Sequence, residues 1–447
     1  MRLTDRDDTN NRAWAADNLA ARLLAAPGTA SAIADGIASV LGPIHHRTRH
    51  ALAIRLAALG EGTYPPSPRA LTAYLLGSAF FRPRRGRRVA VVLDAPRFAP
   101  SKAFAGLPIP ALATLGDLAA WAGVTAEGLD WLADVRRGHA RAVEPRLQHY
   151  HYAFVAKGDG RTRLLEAPKP RLKVLQRRIL REILDAVPVH RSAHGFVRGR
   201  SCLTGAQIHA GEALVACFDL AQFFPSIGRP RICGIFRSLG YPWDVARALA
   251  GLCTTITPAS VLQRLAAADP HDPGLRATYG VPHLPQGAPT SPALANLLAW
   301  RLDARLHGLA RSADANFTRY ADDLAFSGDR VFAKNLARFG KSVEAIVREE
   351  GFALNPSKTR VMPQSVRQRV TGIVVNAHCN VGRAEFDRLK AILHHCATAG
   401  PDGQNRAQVP DFRRHLDGRV VWVEQINPRC GAKLRALFER IDWSAET

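Results

Sequence analysis

Acidic residues are the first shortage in this chain. Its 447 residues hold 38 Asp and Glu against 61 Lys and Arg, a net charge of +23. That balance, with a pI near 10.6, favours a polyanionic partner, and nucleic acid is the commonest. Long apolar runs are lacking too. No stretch of about 18 apolar residues is present to span a bilayer, and no basic amphipathic anchor suggests attachment to a membrane surface. The opening residues Met1 to Asp8 lack the apolar core of a secretory signal. The seven cysteines, an odd number, include no C-x-x-C pair. This argues against a disulfide framework or a zinc site and fits a reducing cytoplasm. The histidine pairs His45-His46 and His394-His395 are likewise not in metal-ligand spacing with Cys or Glu. No internal repeat or low-complexity tract breaks the chain.

What remains is an ordinary globular composition, 47% hydrophobic and 22% charged, long enough for two to four domains. Most of the excess charge falls between residues 150 and 376, with 31 basic against 17 acidic residues. The polyanion is therefore expected across the middle of the chain.

Residues 1–149 read as a mostly α-helical extension. Apolar residues recur at helical spacing over 19–24, 33–41, 51–59 and 112–140, interrupted by Pro and Gly pairs. The basic cluster Phe81 to Arg88 and a short strand Val89 to Leu93 lie within it. From Tyr150 the texture changes. Tyr152 to Lys157 and Arg161 to Pro168, joined through Gly158-Asp159-Gly160, predict a two-stranded hairpin. On it Lys157 and Arg163 are placed to face a triphosphate. Leu172 to Ala186 predicts an amphipathic helix with Gln176, Arg177 and Arg178 on its polar side. A Gly-punctuated basic loop follows, Ala193-His194-Gly195-Phe196-Val197-Arg198-Gly199-Arg200-Ser201, suited to close approach to phosphates.

Three carboxylates carry the chemistry. The apolar strand Ala213 to Leu220 ends in Asp219, where an acid is costly without a partner or a metal. About a hundred residues later, Phe317-Thr318-Arg319-Tyr320-Ala321-Asp322-Asp323-Leu324-Ala325-Phe326-Ser327-Gly328 predicts a hairpin whose turn carries two adjacent acids. Adjacent acids repel unless a cation neutralises them. Asp219, Asp322 and Asp323 on neighbouring strands are a set for holding two Mg²⁺ ions in an in-line nucleotidyl transfer. Between them, Leu284-Pro285-Gln286-Gly287-Ala288-Pro289-Thr290-Ser291-Pro292 opens a helix expected over 293–309. After a helix over 333–350, the loop 351–360 brings Lys358 back toward the same centre.

These ordered motifs resemble those of the reverse-transcriptase family, more narrowly its bacterial retron and group II intron-like branch, over residues 150–375 with a thumb beyond. Tyr320-Ala321-Asp322-Asp323 looks like the family's Y-x-D-D. Phe218-Asp219 with Phe223-Phe224-Pro225 resembles its first catalytic strand, and Gln286-Gly287 its template- and nucleotide-contacting loop. The resemblance implies an α+β right-hand polymerase, with fingers and an antiparallel ferredoxin-like palm over 150–375. It implies a helical thumb over 376–447, behind the α-helical N-terminal extension 1–149.

Asp219, Asp322, Asp323 and the Leu220 backbone would hold two Mg²⁺, with Lys358 as catalytic acid. Lys157, Arg163, Phe223, Phe224, Gln286 and Gly287 would bind the dNTP, with Phe224 as a steric gate against ribonucleotides. Val370-Thr371-Gly372 resembles the retron V-T-G element. Gly205-Ala206-Gln207-Ile208-His209 resembles its N-A-x-x-H element, with Gly for Asn. RNA contacts would then come from Arg198, Arg200, His209, Val370, Thr371 and Gly372. Helices over 384–396 and 429–441, with the run Leu416 to Val423 between them, resemble a retron thumb, and no endonuclease or maturase module is expected after it. As implied partners, a cognate structured non-coding RNA would be copied from a 2′-hydroxyl into a branched RNA–DNA product, in anti-phage defence with an effector protein. Two rival readings are another group II-like or abortive-infection reverse transcriptase, and a catalytically silent RNA-binding scaffold.

Overall fold

The computed structural model describes residues 29–41, 46–60, 68–78, 96–135, 144–156, 162–269 and 274–443, with isolated positions at 16, 17, 19, 20, 23, 138 and 142. The chain forms two compact units, Met1–Arg97 and Phe98–Thr447. In the first, helices α1 (Ala30–Leu41), α2 (His46–Gly60) and α3 (Pro68–Gly77) surround a core that includes Leu19, Ile37, Ala53 and Leu75. The helical expectation holds over 33–41 and 51–59; α3 lies outside the expected spans, and of 19–24 only 19, 20 and 23 are among the described residues. The basic cluster at 81–88, the strand expected at 89–93, and Lys157 with the turn 158–160 lie outside the described residues.

Residues 98–149 pack with the second unit, so the boundary expected at 149 falls at 97. Their helices α4 (Leu115–Ala122) and α5 (Ala126–Ala133) start at Thr114 and Thr125, whose hydroxyls cap the first turns. Two glycines admit this segment. A Cβ on Gly251 would stand 2.1 Å from the Ala133 carbonyl oxygen, and one on Gly240 2.4 Å from the Pro100 nitrogen.

Among the described residues, the second unit is built on three antiparallel sheets. Strands β1 (Tyr150–Ala156) and β2 (Thr162–Pro168) form the expected hairpin, with Ala156 opposite Thr162. The central sheet has the order β4-β5-β3-β6, with β3 Leu214–Asp219, β4 Asn316–Tyr320, β5 Asp323–Gly328 and β6 Arg360–Pro363. A small hairpin joins β7 (Arg369–Val370) to β8 (Ile373–Val374).

All six residues of β3 are buried, because both faces of the sheet are covered. Ala216 and Phe218 enter the larger core with Phe326, Phe339 and Val343. Val215 and Cys217, pointing the other way, join Met362, Val370, Leu393 and Val420. The first face is packed by α14 (Arg330–Glu349); the second cluster is built mainly from α15 (Arg383–Ala399), α16 (Phe412–Ile426) and α17 (Pro428–Phe438). Both faces being filled, only the end of β3 is left for chemistry.

The remaining helices are α6 (Pro170–Glu182), α7 (Cys202–Gln207), α8 (Arg229–Ser238), α9 (Trp243–Leu252), α10 (Ala259–Ala268), α11 (Leu275–Tyr279), α12 (Ser291–Leu298) and α13 (Trp300–Ser312). Two expectations are corrected here. The single helix over 293–309 is the pair α12 and α13. Ala299 has ψ near 0° and shares its amide between the Ala295 and Leu297 carbonyls, which interrupts the helical ladder. Gln176 is not on the polar side of α6. It is fully buried and donates to the Tyr150 hydroxyl at 3.1 Å and the Leu252 carbonyl at 2.8 Å.

Candidate active site

The end of β3 and the β4–β5 hairpin bring the three acids to one edge. Asp219 lies directly opposite Asp323 in the β3–β5 register, and Tyr320 opposite Asp323 in β4–β5. The hairpin therefore turns on Ala321 and Asp322, with Asp323 starting the returning strand rather than sitting in the turn. Ala321 takes a positive φ of 55°, as a tight hairpin connection requires. The Leu220 amide donates to the Asp322 carbonyl at 2.9 Å, stitching the turn to β3. On the far side of β3, the Asn355 amide donates to the Asp219 carbonyl at 2.7 Å.

The carboxylates are crowded and only partly neutralised. Lys358 Nζ donates to Asp219 Oδ2 at 2.9 Å, and Asn355 Nδ2 to Oδ1 at 3.2 Å. Burial, then the charges of Asp322 and Asp219, push the Asp323 carboxyl up to about 6, against the pull of Lys358 and Arg360. Burial and Asp219 raise Asp322 as well, while Lys358 and Arg163 pull it down. Anions held together at this cost are what a cation relieves. Among the described residues, no group of three His, Cys, Asp or Glu side chains is placed to hold a metal ion by itself. Mg²⁺ does not need one. It is commonly held by one or two carboxylates and completes its shell with water and substrate phosphates. The donor set therefore fits Mg²⁺ that arrives with a nucleotide.

Two buried polar clusters hold this edge, and neither was legible in the sequence. Arg319 on β4 is fully buried and grips Asp303 of α13 with two bonds of 2.6 and 2.7 Å. Its Nη1 donates to Asn296 Oδ1 and to the Ala321 carbonyl, each at 3.0 Å. A buried guanidinium thus holds the turn that presents Asp322. The second cluster is Glu166 on β2, which accepts from Thr257 Oγ1 at 2.7 Å and lies 2.8 Å from His283 Nε2. It fixes the strand-like segment that leads into Gln286. The Glu166 amide donates to the Gln286 carbonyl at 2.8 Å, and a Cβ on Gly287 would stand 3.1 Å from the Glu166 oxygen. The one available signal was a lone charge at a core-facing strand position, which demands a distant partner.

The other expected site residues divide into three groups. Arg163, exposed on β2, acts electrostatically on Asp322, and Lys157 lies outside the described residues. Phe223 is buried, with half-buried Phe224 at a ring distance of 5.4 Å. Arg198 is exposed, as an RNA contact requires.

Two expected RNA contacts, His209 and Val370, are buried, and Arg200 is engaged within its own loop. Arg200 Nη1 is spent on the carbonyls of His190, Arg191 and Ala193, at 3.0, 2.9 and 2.7 Å, so it braces its own loop. His209 is fully buried, with Nδ1 and Nε2 each 2.7 Å from the hydroxyls of Ser327 and Thr318. Burial depresses its pKa to about 3, so it is neutral and pins its segment to the sheet. Val370 is buried in the core between the sheet and the C-terminal helices. Only Thr371 and Gly372 of that triplet reach the surface, on a two-residue turn with φ of 47° and 90°. That turn borders a cleft of about 420 Å³, also lined by Tyr320, Asp323, Cys202 and Arg360.

Comparison with known proteins supplies the class first. Residues 155–375 match the family described as reverse transcriptase (RNA-dependent DNA polymerase). The carboxylate edge just described therefore belongs to a right-hand polymerase fold of mixed helix and sheet, and the chain is an RNA-directed DNA polymerase. The Myxococcus xanthus retron Mx65 reverse transcriptase is 41% identical over 73% of this chain and 71% of its own length. Retron Mx162 reverse transcriptase of the same organism is 35% identical over 66% and 62%. Retron Ec86 reverse transcriptase of Escherichia coli is 32% identical over 55% and 68%. The chain belongs to the bacterial retron reverse transcriptases. A Candida tropicalis telomerase structure aligns over 58% of this chain and 61% of its own, at 11% identity and a TM-score of 0.32. Among the described residues, no helix is long and apolar enough to cross a membrane.

Proposed function

We propose that this polymerase copies part of a cognate structured RNA into DNA, starting from a 2′-hydroxyl of that RNA, and yields a branched RNA–DNA product serving anti-phage defence with an effector protein. The observation that carries the reading is the direct opposition of Asp219 and Asp323, with Asp322 in the adjoining β4–β5 turn, in a chain 41% identical to a retron reverse transcriptase.

Asp219, Asp322, Asp323 and the Leu220 carbonyl would hold two Mg²⁺. Bound there, the ions supply charge neutralisation for the attacking oxygen and the departing pyrophosphate. The chain's own groups do the rest. Arg163 and Lys157 orient the triphosphate through charge-assisted bonds. Phe224 lies beneath the sugar and rejects a 2′-hydroxyl by clash. Lys358, held on Asp219, is the proton source for the leaving group. Gln286 and Gly287 approach the base pair, tied to β2 by the Glu166 amide. Arg198, Thr371 and Gly372 contact the RNA, and the helical tail α15–α17 grips the template–primer as a thumb beside the antiparallel palm.

The test is to purify the full chain, sequence the nucleic acid that accompanies it, and treat that material with a debranching enzyme. Covalently joined RNA and DNA, separated by debranching, is the expected result. Extension of a primed RNA template with no branched product would leave a polymerase of another bacterial type. No extension with Mg²⁺ and dNTPs would leave an RNA-binding scaffold.

A further inference from the structure

Phe196 is at odds with its surroundings twice over. Its backbone lies in the left-handed region at φ 60°, where a bulky L-residue is strained. The residue is 55% exposed, although large aromatics normally bury most of their surface.

The loop that carries it is nonetheless rigidly built. Arg200 spans three of its carbonyls, and Asn296 Nδ2 donates to the Gly195 carbonyl at 2.9 Å. The His194 amide donates to the Arg319 carbonyl at 2.8 Å. Gly195 fits so closely against the catalytic turn that a Cβ would stand 2.7 Å from the Ala321 nitrogen. A strained residue persists only where the surroundings over-determine it, and such residues cluster at ligand sites. This one holds a largely exposed aromatic ring next to the hairpin that carries the acids. The Phe196 ring centre is 6.4 Å from that of Phe224 and 6.1 Å from that of Tyr320.

We infer that Phe196 is a stacking platform for the base pair forming at the catalytic turn. The exposed ring completes an aromatic wall whose other faces are Phe224 and Tyr320. A nucleobase has a π-face whatever its identity, so such a platform serves every template position. The inference rests on the placement of the nucleotide sugar over Phe224 proposed above. It adds a residue that touches substrate and lies outside the carboxylate and steric-gate set.

The test compares wild type with Phe196→Ala, Phe196→Gly and Phe196→Tyr as full chains, on a DNA-primed RNA template with Mg²⁺ and dNTPs. Ala and Gly are expected to lower kcat/KM for dNTP about tenfold, equivalent to about 1.4 kcal/mol, with Tyr within about twofold of wild type. Affinity for primer–template should hold in all three. Phe196→Gly should also unfold at or above the wild-type temperature, because glycine adopts the positive φ without strain. Loss of activity with gain of stability is a pattern that a packing role does not produce.

The inference is overturned if Ala and Gly keep nucleotide efficiency within about twofold. It is overturned equally if all three variants, Tyr included, lose activity together with thermal stability, which assigns the ring to packing. A loss confined to primer–template affinity overturns it too, by placing the ring on the duplex away from the nascent pair. Wild type that fails to extend removes the nucleotide placement and this inference together. Wild type that extends alongside unaffected variants removes this inference alone.

Discussion

The β4–β5 hairpin carries two kinds of charge within five residues. Arg319 is fully buried and completely paired, with Asp303, Asn296 and the Ala321 carbonyl as partners. Asp322 and Asp323 are half-buried and crowd each other, with both carboxyls raised above their ordinary range. The paired charge is scaffold. The unpaired ones are the working part, because what their neighbours leave unsatisfied is available to a ligand. The same contrast separates His209, satisfied by two hydroxyls and held neutral, from Arg198 on an exposed loop.

The sharpest way to break this comparison is to neutralise one member of each kind. Asp322→Asn should reduce primer extension by roughly a thousandfold while primer–template affinity and the unfolding temperature stay near wild type. Extension at the wild-type rate would end the carboxylate assignment. Asp303→Asn should do the reverse to stability, because it strands a buried guanidinium. A loss of about 3–5 kcal/mol in unfolding free energy is expected, by denaturant titration. A change below about 1 kcal/mol would show that Arg319 is not held by that pair.

A smaller effect follows from His209. Its folded pKa is depressed from 6.5 to about 3, so the unfolded chain takes up the proton first. Its share of stability is complete above pH 6.5 and is lost as the pH falls toward 3. His209→Gln should flatten the acid limb of a stability–pH curve, and an unchanged limb would remove the histidine from the account. The smallest effect belongs to the exposed arginine. Arg198→Ala should weaken RNA binding several-fold and reduce the slope of log affinity against log salt by about one. An unchanged salt slope would take Arg198 off the RNA path.

The contrast also explains what sequence reading reached. Asp219, Asp322 and Asp323 were legible because each sits in a short motif with its own strand pattern, and cross-strand register did the rest. The β1–β2 hairpin and α14 follow directly from local spacing. Arg319–Asp303 and Glu166–His283 were not legible, since their partners lie 16 and 117 residues apart and meet only through packing. Arg200 and His209 show the same limit. An arginine in a glycine-rich loop and a histidine after a short helix look the same in sequence whether they face RNA or the interior. The change of helix at Ala299 has no Gly or Pro to announce it.

Gly195 has one more consequence. With its backbone wedged against Tyr320 and Ala321, the arginine-braced loop packs directly on the acid-bearing hairpin. Any side chain at this position would have to push the loop away from the turn, so the fit of loop to hairpin depends on one missing Cβ.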